Sequence, residues 1–172
     1  MKSIILAAGV GRRLGADMPK CMIEVAGTSI IHRQLAAFRA VGVTEFVVVV
    51  GHEQDRLRDH LADQPGRFTF VVNERYAETN TIYSLYLARA HVDGAFFYSN
   101  GDVLFDRRLT ERLQAADDPS VLAVLAGACG DEEVKVIVTD GKITRIGKTL
   151  EPASCLGEFV GVARFAAAPI WC

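Results

Sequence analysis

The feature that most restricts what this chain can fold into is a six-residue run, Glu45–Val50, in which a phenylalanine and four consecutive valines follow a glutamate. A continuous, mostly β-branched run of this length is typical of a strand that is covered on both faces. Comparable runs alternate with segments whose apolar residues recur at helical spacing, as in Ser29–Val41. The alternation predicts an α/β protein with a mixed, mostly parallel sheet and helices on both faces.

The remaining elements follow the same alternation until the last third of the chain. The expected strands are Ser3–Ala7, Phe68–Val72, Ala95–Ser99 and Val121–Ala126, and the expected helices are Gln54–Ala62, Thr81–Ala90 and Asp106–Ala116. Two alternating runs, Val134–Thr139 and Lys142–Gly147, then flank an Asp-Gly turn, which predicts an antiparallel hairpin before a final strand at Phe159–Phe165. No segment has the composition of a linker, so we expect a single domain over residues 1–172.

Composition and charge disfavour several classes of protein. The formal net charge of −2 argues against a nucleic-acid binder that relies on bulk positive charge. No apolar run reaches the roughly 18 residues of a membrane span, and arginines interrupt the apolar N-terminus too early for a secretion signal. The cysteines lack the close spacing of zinc ligands: Cys21, Cys129, Cys155 and Cys172. Because the chain carries no secretion signal and has the apolar content of a buried core, we expect a cytoplasmic protein with free thiols. The alternative is a secreted protein with two disulfides.

A glycine-rich loop, Leu6–Leu14, follows the first strand and is the first candidate binding element. It is not a dinucleotide fingerprint, because Leu14 stands where the third glycine would be, and it has no Walker Gly-Lys-Ser/Thr. Small residues nevertheless let backbone N–H groups approach an anion, and Arg12, Arg13 and Lys20 add the positive charge that a triphosphate requires. The alternative is a tight turn with solvated arginines. The candidate nucleotide-binding residues here are Leu6, Ala7, Ala8, Gly9, Gly11 and Arg12.

Asp102 is the candidate metal ligand. It follows the expected strand Ala95–Ser99, and ligands of open α/β sheets bind at the carboxyl ends of the strands. A carboxylate at that edge is suited to hold Mg²⁺ against a nucleotide phosphate. The alternative is a turn residue that caps the next helix.

The segment 73–88 is rich in polar and aromatic residues and lies between a strand and a helix on the expected ligand side. Asn80 and Ser84 are small hydrogen-bonding residues that suit a pyrimidine edge or a ribose. Thr79 or Asn80 is a plausible N-cap of the helix. Tyr83 is open to two interpretations, a core residue or an acceptor contact.

Taken together, the loop with Gly9, Gly11, Arg13 and Leu14, followed by Pro19-Lys20, resembles the signature of the nucleotidyltransferase superfamily of sugar-nucleotide pyrophosphorylases and cytidylyltransferases. The resemblance implies a Rossmann-like domain in which Arg13 and Lys20 bind phosphates and stabilise the transition state, with Asp102 as a Mg²⁺ ligand. It also implies in-line attack of a phosphate or phosphonate oxygen on the α-phosphorus of a nucleoside triphosphate, with release of pyrophosphate.

Within that superfamily, the string from Asn73 through Thr79 and Asn80 to Leu85 resembles bacterial choline-phosphate and aminoethylphosphonate cytidylyltransferases. That resemblance implies CTP as the donor and a small phosphorylated or phosphonylated amino alcohol as the acceptor. The candidate nucleotide contacts in this segment are Asn73, Thr79, Asn80 and Ser84. The candidate acceptor contacts are Tyr83, Lys148, whose ammonium suits a phosphate, and Glu158, whose carboxylate suits a cationic amine.

The chain departs from the family in one respect. It ends at Cys172, before the later strand that supplies a second metal-binding aspartate in relatives, so we expect either a short form or a fragment. An exposed apolar end would favour a homodimer. The alternatives to a cytidylyltransferase are a sugar-1-phosphate nucleotidyltransferase that uses another triphosphate and a non-catalytic nucleotide-binding module.

Overall fold

A computed structural model describes residues 1–9 and 18–166. The strands are β1 Lys2–Leu6, β2 Glu24–Val25, β3 Thr28–Ser29, β4 Glu45–Val50, β5 Arg67–Val72, β6 Phe96–Asn100, β7 Val121–Ala126, β8 Lys135–Thr139, β9 Lys142–Gly147 and β10 Gly157–Phe165. The α-helices are α1 Ile30–Ala40, α2 Gln54–Leu61, α3 Thr81–Ala88 and α4 Arg107–Ala115. Short 3₁₀ turns lie at Lys20–Met22, Arg89–His91 and Pro152–Ser154.

The described strands form an eight-stranded sheet in the order β5-β4-β1-β6-β10-β8-β9, with β7 paired to the other side of β10. Strands β5, β4, β1 and β6 run parallel to one another, whereas β10 is antiparallel to β6, β7 and β8. The predicted α/β architecture with a largely parallel central sheet is therefore confirmed. The antiparallel part is larger than the expected hairpin, because it also includes β7 and β10.

Helices cover both faces of the sheet, as the run Glu45–Val50 requires. On one face, buried residues of α1, α2 and α4 pack with alternate residues of β1 and β4, among them Ile31, Leu57, Leu113, Ile5 and Val48. On the opposite face, α3 packs against the other set of alternate residues: Ile4, Val47, Val49 and Ala88. The valines of β4 are 0–3% exposed, which is the outcome expected for a strand buried on both sides.

Local sequence signals explain the helix starts. The side chains of Ser29, Asn80 and Asp106 accept hydrogen bonds from backbone N–H groups in the first turns of α1, α3 and α4. The structure thus selects Asn80, rather than Thr79, as the N-cap of α3. At the predicted hairpin turn, Asp140 and Gly141 both have positive φ (51° and 73°), the conformation that an Asp-Gly turn between two strands requires.

Strand β10 bends as it crosses the sheet. Its register with β7 shifts between Phe159 and Ala163, and Gly161 within that shift has a φ of +80°. A Cβ atom at Gly161 would lie 2.6 Å from Nδ2 of Asn100. The bend therefore lets β10 pass closely over the carboxyl end of β6. In the described part of the chain, none of the helices has the length and apolar character needed to cross a bilayer.

Candidate active site

A cavity of about 360 Å³ opens at the carboxyl ends of β1 and β6. The N-terminus of α3 and the 3₁₀ turn at Lys20–Met22 close its sides. This is the edge of an open α/β sheet at which ligands bind. The described lining residues are Leu6, Ala7, Ala8, Gly9, Lys20, Cys21, Tyr76, Thr79, Asn80, Thr81, Ser84, Asn100, Gly101 and Asp102.

The floor of the cavity is the backbone that leaves β1. Ala7 and Ala8 are each 6% exposed, and glycines lie against this segment on both sides. A Cβ atom at Gly101 would lie 2.9 Å from the carbonyl oxygen of Leu6, and one at Gly51 would lie 2.9 Å from that of Ala8. The missing side chains allow three chain segments to meet at one point, which leaves the small residues after β1 facing the cavity.

A cation and a carboxylate meet at one wall of the cavity. Nζ of Lys20 lies 3.5 Å from Oδ2 of Asp102, and the two side chains are 33% and 47% exposed. Lys20 begins the 3₁₀ turn directly after Pro19. Asp102 follows β6 in a turn whose Gly101 N–H donates to the Leu6 carbonyl over 2.8 Å. The structure thus brings together the predicted catalytic lysine and the predicted metal ligand, although they lie far apart in the sequence.

The opposite wall is formed by the start of α3. Oδ1 of Asn80 accepts a hydrogen bond from the backbone N–H of Tyr83 over 3.1 Å, while its Nδ2 makes no hydrogen bond within the described residues. The hydroxyl of Ser84 accepts a hydrogen bond from Nδ2 of Asn73 over 3.0 Å, which leaves its own hydrogen available to a ligand. Asn80 and Ser84 therefore each present a hydrogen-bond donor near the cavity.

Two other predicted nucleotide contacts support this wall. Asn73 is 1% exposed and is not among the lining residues; its Nδ2 bridges Thr79 and Ser84, and its Oδ1 accepts the backbone N–H of Arg75. The hydroxyl of Thr79 lines the cavity but donates to the Arg75 carbonyl over 2.8 Å. The buried Asn73 thus fixes the conformation of the segment 73–84 through its hydrogen bonds to Arg75, Thr79 and Ser84.

Burial changes the acidity of two groups beside the cavity. Desolvation, with a smaller effect from the negative charge of Asp102, raises the pKa of the Cys21 thiol to about 12. The same two causes raise the pKa of Tyr98, whose hydroxyl donates to Oδ1 of Asn100 over 2.6 Å. Both groups therefore stay protonated at neutral pH, which disfavours Cys21 as a nucleophile.

Several other predicted site residues are either outside the described part of the chain or absent from the described cavity lining. Gly11, Arg12 and Arg13 lie outside the described residues. Tyr83 packs on Tyr86, with ring centroids 6.4 Å apart, and on the guanidinium of Arg75. Lys148 pairs with Glu132 over 3.8 Å, and Glu158 stands opposite Lys135 in the β10–β8 ladder. None of these three predicted acceptor residues (Tyr83, Lys148 and Glu158) is among the described lining residues.

The structure also adds residues that the sequence did not single out. Tyr76, Thr81 and Asn100 line the cavity, and Cys21 lies beside Lys20 at its edge. Asn100 and Gly101 directly precede Asp102, so their place in the sequence was a usable signal. Tyr76 belongs to the string 73–85 that resembles the cytidylyltransferases, but an aromatic residue there also fits the core.

The fold and this cavity define a class, the α/β proteins with a ligand cavity at the carboxyl edge of a parallel sheet. The particular family follows from a family model described as the MobA-like NTP transferase domain, which matches residues 3–156. The chain belongs to this family. The resemblance to nucleotidyltransferases drawn from the loop and Pro19-Lys20 is therefore confirmed.

Similar proteins include cytidylyltransferases. The CMP-5'-(3-aminopropyl)phosphonate synthase of Streptomyces rubellomurinus is 34% identical over 151 residues, which cover 81% of this chain and 24% of that protein. The choline-phosphate cytidylyltransferase of Streptococcus pneumoniae is 28% identical over 158 residues, which cover 85% of this chain and 67% of that protein. The chain thus spans about a quarter of the first relative and about two thirds of the second.

A solved structure agrees with these relatives. The inositol-1-phosphate CTP transferase from T. maritima superposes with a TM-score of 0.81 at 26% sequence identity, covering 96% of this chain and 70% of that one. Three different acceptors thus appear in the names of these proteins: a phosphonate, a choline phosphate and an inositol phosphate. The names agree on a cytidylyl group and differ in the acceptor.

Proposed function

We propose that the chain transfers CMP from CTP to a small phosphorylated or phosphonylated acceptor and releases pyrophosphate. The observation that carries the proposal is the ion pair of Lys20 and Asp102, which are 3.5 Å apart. Both residues line the cavity together with the backbone that follows β1. A cation, a carboxylate and closely approachable backbone are the groups that triphosphate chemistry requires. The names of the relatives support cytidine as the nucleoside.

In the proposed reaction an oxygen of the acceptor phosphate or phosphonate attacks the α-phosphorus of CTP. A new P–O bond forms, the bond from the α-phosphorus to the bridging oxygen breaks, and pyrophosphate leaves with the electron pair. The protein contributes orientation and charge stabilisation rather than a covalent intermediate. Lys20 stabilises the negative charge that builds up on the phosphate oxygens, and Arg13 is proposed to do the same.

The nucleoside is proposed to lie against the start of α3. The Nδ2 of Asn80 and the hydroxyl hydrogen of Ser84 are donors, which suits the carbonyl oxygen of cytosine or a ribose oxygen. Thr79 contacts the nucleotide in this arrangement, and Asn73 acts through its hydrogen bonds to Thr79 and Ser84. Leu6, Ala7, Ala8, Gly9, Gly11 and Arg12 are proposed to contact the phosphates.

A divalent metal fits the site through one residue. Asp102 is the only carboxylate among the described residues that line the cavity, and it is 47% exposed. The described part of the chain contains no group of three or more His, Cys, Asp or Glu side chains arranged to hold a metal. Mg²⁺ commonly binds through one or two carboxylates plus substrate phosphates, so Asp102 suffices in the presence of CTP. When bound, Mg²⁺ neutralises phosphate charge.

The acceptor is proposed to contact three side chains outside the described cavity lining. Lys148 offers an ammonium to the acceptor phosphate, Glu158 offers a carboxylate to a cationic amine, and Tyr83 offers an aromatic face. The test is a ³¹P NMR screen of the chain with CTP, Mg²⁺ and one acceptor at a time: phosphocholine, 2-aminoethylphosphonate, 3-aminopropylphosphonate or inositol 1-phosphate. We expect a CMP-linked product and pyrophosphate with at least one of them.

The control panel offers the four nucleoside triphosphates with hexose 1-phosphates. Turnover there, and none with CTP and the four acceptors, would identify a sugar-1-phosphate nucleotidyltransferase. CTP binding without pyrophosphate release from any pair would identify a nucleotide-binding module. Either result would overturn the proposed reaction.

A further inference from the structure

The inference concerns Gln34, a polar residue on the buried face of α1. Its side chain is 1% exposed, and its neighbours on that face are apolar, among them Ile30, Ile31 and Phe38. A primary amide at such a place is unfavourable unless its two N–H donors and its carbonyl acceptor are all satisfied. The hydrogen-bond partners of those three groups therefore indicate the role of Gln34.

All three partners of Gln34 lie at the end of β6 or directly after the turn that carries Asp102. Nε2 donates to the Asn100 carbonyl over 2.8 Å and to the Val103 carbonyl over 2.6 Å. Oε1 accepts a hydrogen bond from the hydroxyl of Ser99 over 3.0 Å. Because both Nε2 partners are carbonyl oxygens, the orientation of the amide is fixed: a flipped amide would place oxygen against oxygen.

Hydrogen bonds hold the turn that carries Asp102 at both of its ends. The backbone N–H of Val103 donates to the Asn100 carbonyl over 3.3 Å, which closes a tight turn, and the amide of Gln34 bridges the carbonyls at the two ends of that turn. On the other side, the Gly101 N–H donates to the Leu6 carbonyl over 2.8 Å. The backbone around Asp102 is thus held by α1 and by β1, while its carboxylate pairs with Lys20 at the cavity wall.

We infer that Gln34 is a positioning residue, which acts through the turn 99–103 to hold the Asp102 carboxylate where a metal-bound triphosphate is expected. This inference rests on the proposed function, since it takes Asp102 as a metal ligand. A glutamine meets the requirement because it supplies two donors and one acceptor on one planar group. A carboxylate lacks the donors, and an aliphatic side chain lacks all three groups.

The test measures metal binding and activity separately. Gln34→Met keeps the length of the side chain and its fit to an apolar helix face, but removes all three hydrogen bonds. We expect the Mn²⁺ concentration for half-saturation of the CTP-bound chain, followed by electron paramagnetic resonance, to rise about tenfold, with a similar rise in the Mg²⁺ concentration for half-maximal turnover. Affinity for metal-free CTP is expected to stay within about twofold, because the turn contacts CTP through the metal.

The matched control is Thr110→Val. Thr110 is also fully buried, and its hydroxyl lies 3.0 Å from the Ala37 carbonyl of the same helix α1 and 2.7 Å from the Arg107 carbonyl, away from the cavity. Its loss is expected to lower stability while leaving Mn²⁺ affinity within about twofold. Ser99→Ala serves if Gln34→Met does not fold: it removes the hydrogen bond to Oε1 alone, so we expect a smaller, two- to threefold weakening.

Two results would overturn the inference: unchanged Mn²⁺ affinity in the folded Gln34 or Ser99 variant, or an equal loss in Thr110→Val. Absence of any Mn²⁺ binding by the wild-type chain with CTP would overturn both the inference and the proposed metal role of Asp102. Wild-type Mn²⁺ binding that the Gln34 variant weakens, without turnover in any acceptor screen, would support the inference and overturn the proposed reaction alone.

Discussion

Lys20 is the residue whose charge the proposed reaction needs most. Its ammonium lies 3.5 Å from Asp102 at the cavity wall, within reach of a ligand on the β1 backbone. Removing one preorganised cation from a site where negative charge develops typically lowers kcat by about 10²- to 10³-fold. We expect Lys20→Ala to lose that much in single-turnover pyrophosphate release, with CTP affinity reduced by a smaller factor.

Lys2 provides the matched control for this prediction. It lies at the opposite end of β1, where Nζ forms an ion pair with Asp93 over 2.7 Å. Exposed ion pairs of this kind contribute about 0–1 kcal/mol to stability, so Lys2→Ala is expected to leave pyrophosphate release unchanged. Equal rates for wild type and Lys20→Ala would remove Lys20 from the mechanism.

Gly101 is a residue whose missing side chain matters. A Cβ there would lie 2.9 Å from the Leu6 carbonyl oxygen and 3.2 Å from the Cα of Ala7, and backbone atoms cannot move aside cheaply. Gly101→Ala is expected to lower the free energy of unfolding by about 1–3 kcal/mol, measured by urea denaturation. Gly94→Ala is the control, because nothing lies within 4 Å of a Cβ at that position. Equal unfolding midpoints for both variants would contradict the close approach.

At the scale of elements, a pair of stacked histidines joins the start of α1 to the end of α2. The rings of His32 and His60 lie 4.2 Å apart at an angle of 9°, and Nε2 of His60 is 2.9 Å from the Ser29 hydroxyl that caps α1. Burial, and then the neighbouring His32, lower the pKa of His60 below its ordinary 6.5, while Glu24 opposes the shift. The folded state therefore resists protonation of this ring.

The sign of the resulting pH dependence follows. Between the lowered folded-state pKa of His60 and its ordinary pKa of 6.5, the unfolded chain binds a proton at His60 more readily than the folded chain does. The free energy of unfolding therefore falls as the pH decreases through this window. It levels off once the pH is below the folded-state pKa. We expect the urea midpoint to drop between pH 7.5 and pH 5.5, and to drop less in His60→Gln. His91→Gln, outside this stack, is expected to keep the wild-type pH dependence. An equally steep pH dependence in His60→Gln would refute this account.

Most of the helices and longer strands were predictable from the sequence, because each carries a continuous or periodic apolar pattern. The hairpin of β2 and β3 was not, since strands of two residues carry no periodic signal. In the site, Lys20, Asn80 and Asp102 stand beside glycine, proline or helix-start signals, and the structure brings them to one cavity. Gln34 was missed because its partners, two backbone carbonyls and the Ser99 hydroxyl, lie 65 to 69 residues away, and these contacts exist only after α1 has packed on the sheet.

At the scale of the whole molecule, the cavity is assembled from segments that are distant in sequence. Its described lining runs from Leu6 to Asp102 and takes residues from β1, the turn at Lys20–Met22, α3 and the end of β6. A ligand that contacts all four segments stabilises the folded chain against unfolding as a unit. The expected single domain over residues 1–172 predicts one cooperative thermal transition, and a homodimer would make its midpoint depend on protein concentration.

The last prediction uses that transition to test the nucleotide. With Mg²⁺ and CTP at about 100 times the dissociation constant, we expect a stabilisation of about 2.7 kcal/mol. For a chain of this size that corresponds to a rise in Tm of about 5–10 °C by scanning calorimetry.

Asp102→Asn is expected to lose most of the Mg²⁺-dependent part of the rise, because it removes the one carboxylate among the described lining residues. GTP at equal concentration is expected to give a smaller rise, because the proposed contacts of Asn80 and Ser84 are to cytosine. An equal rise with GTP and CTP would refute the cytidine preference while leaving the triphosphate site in place.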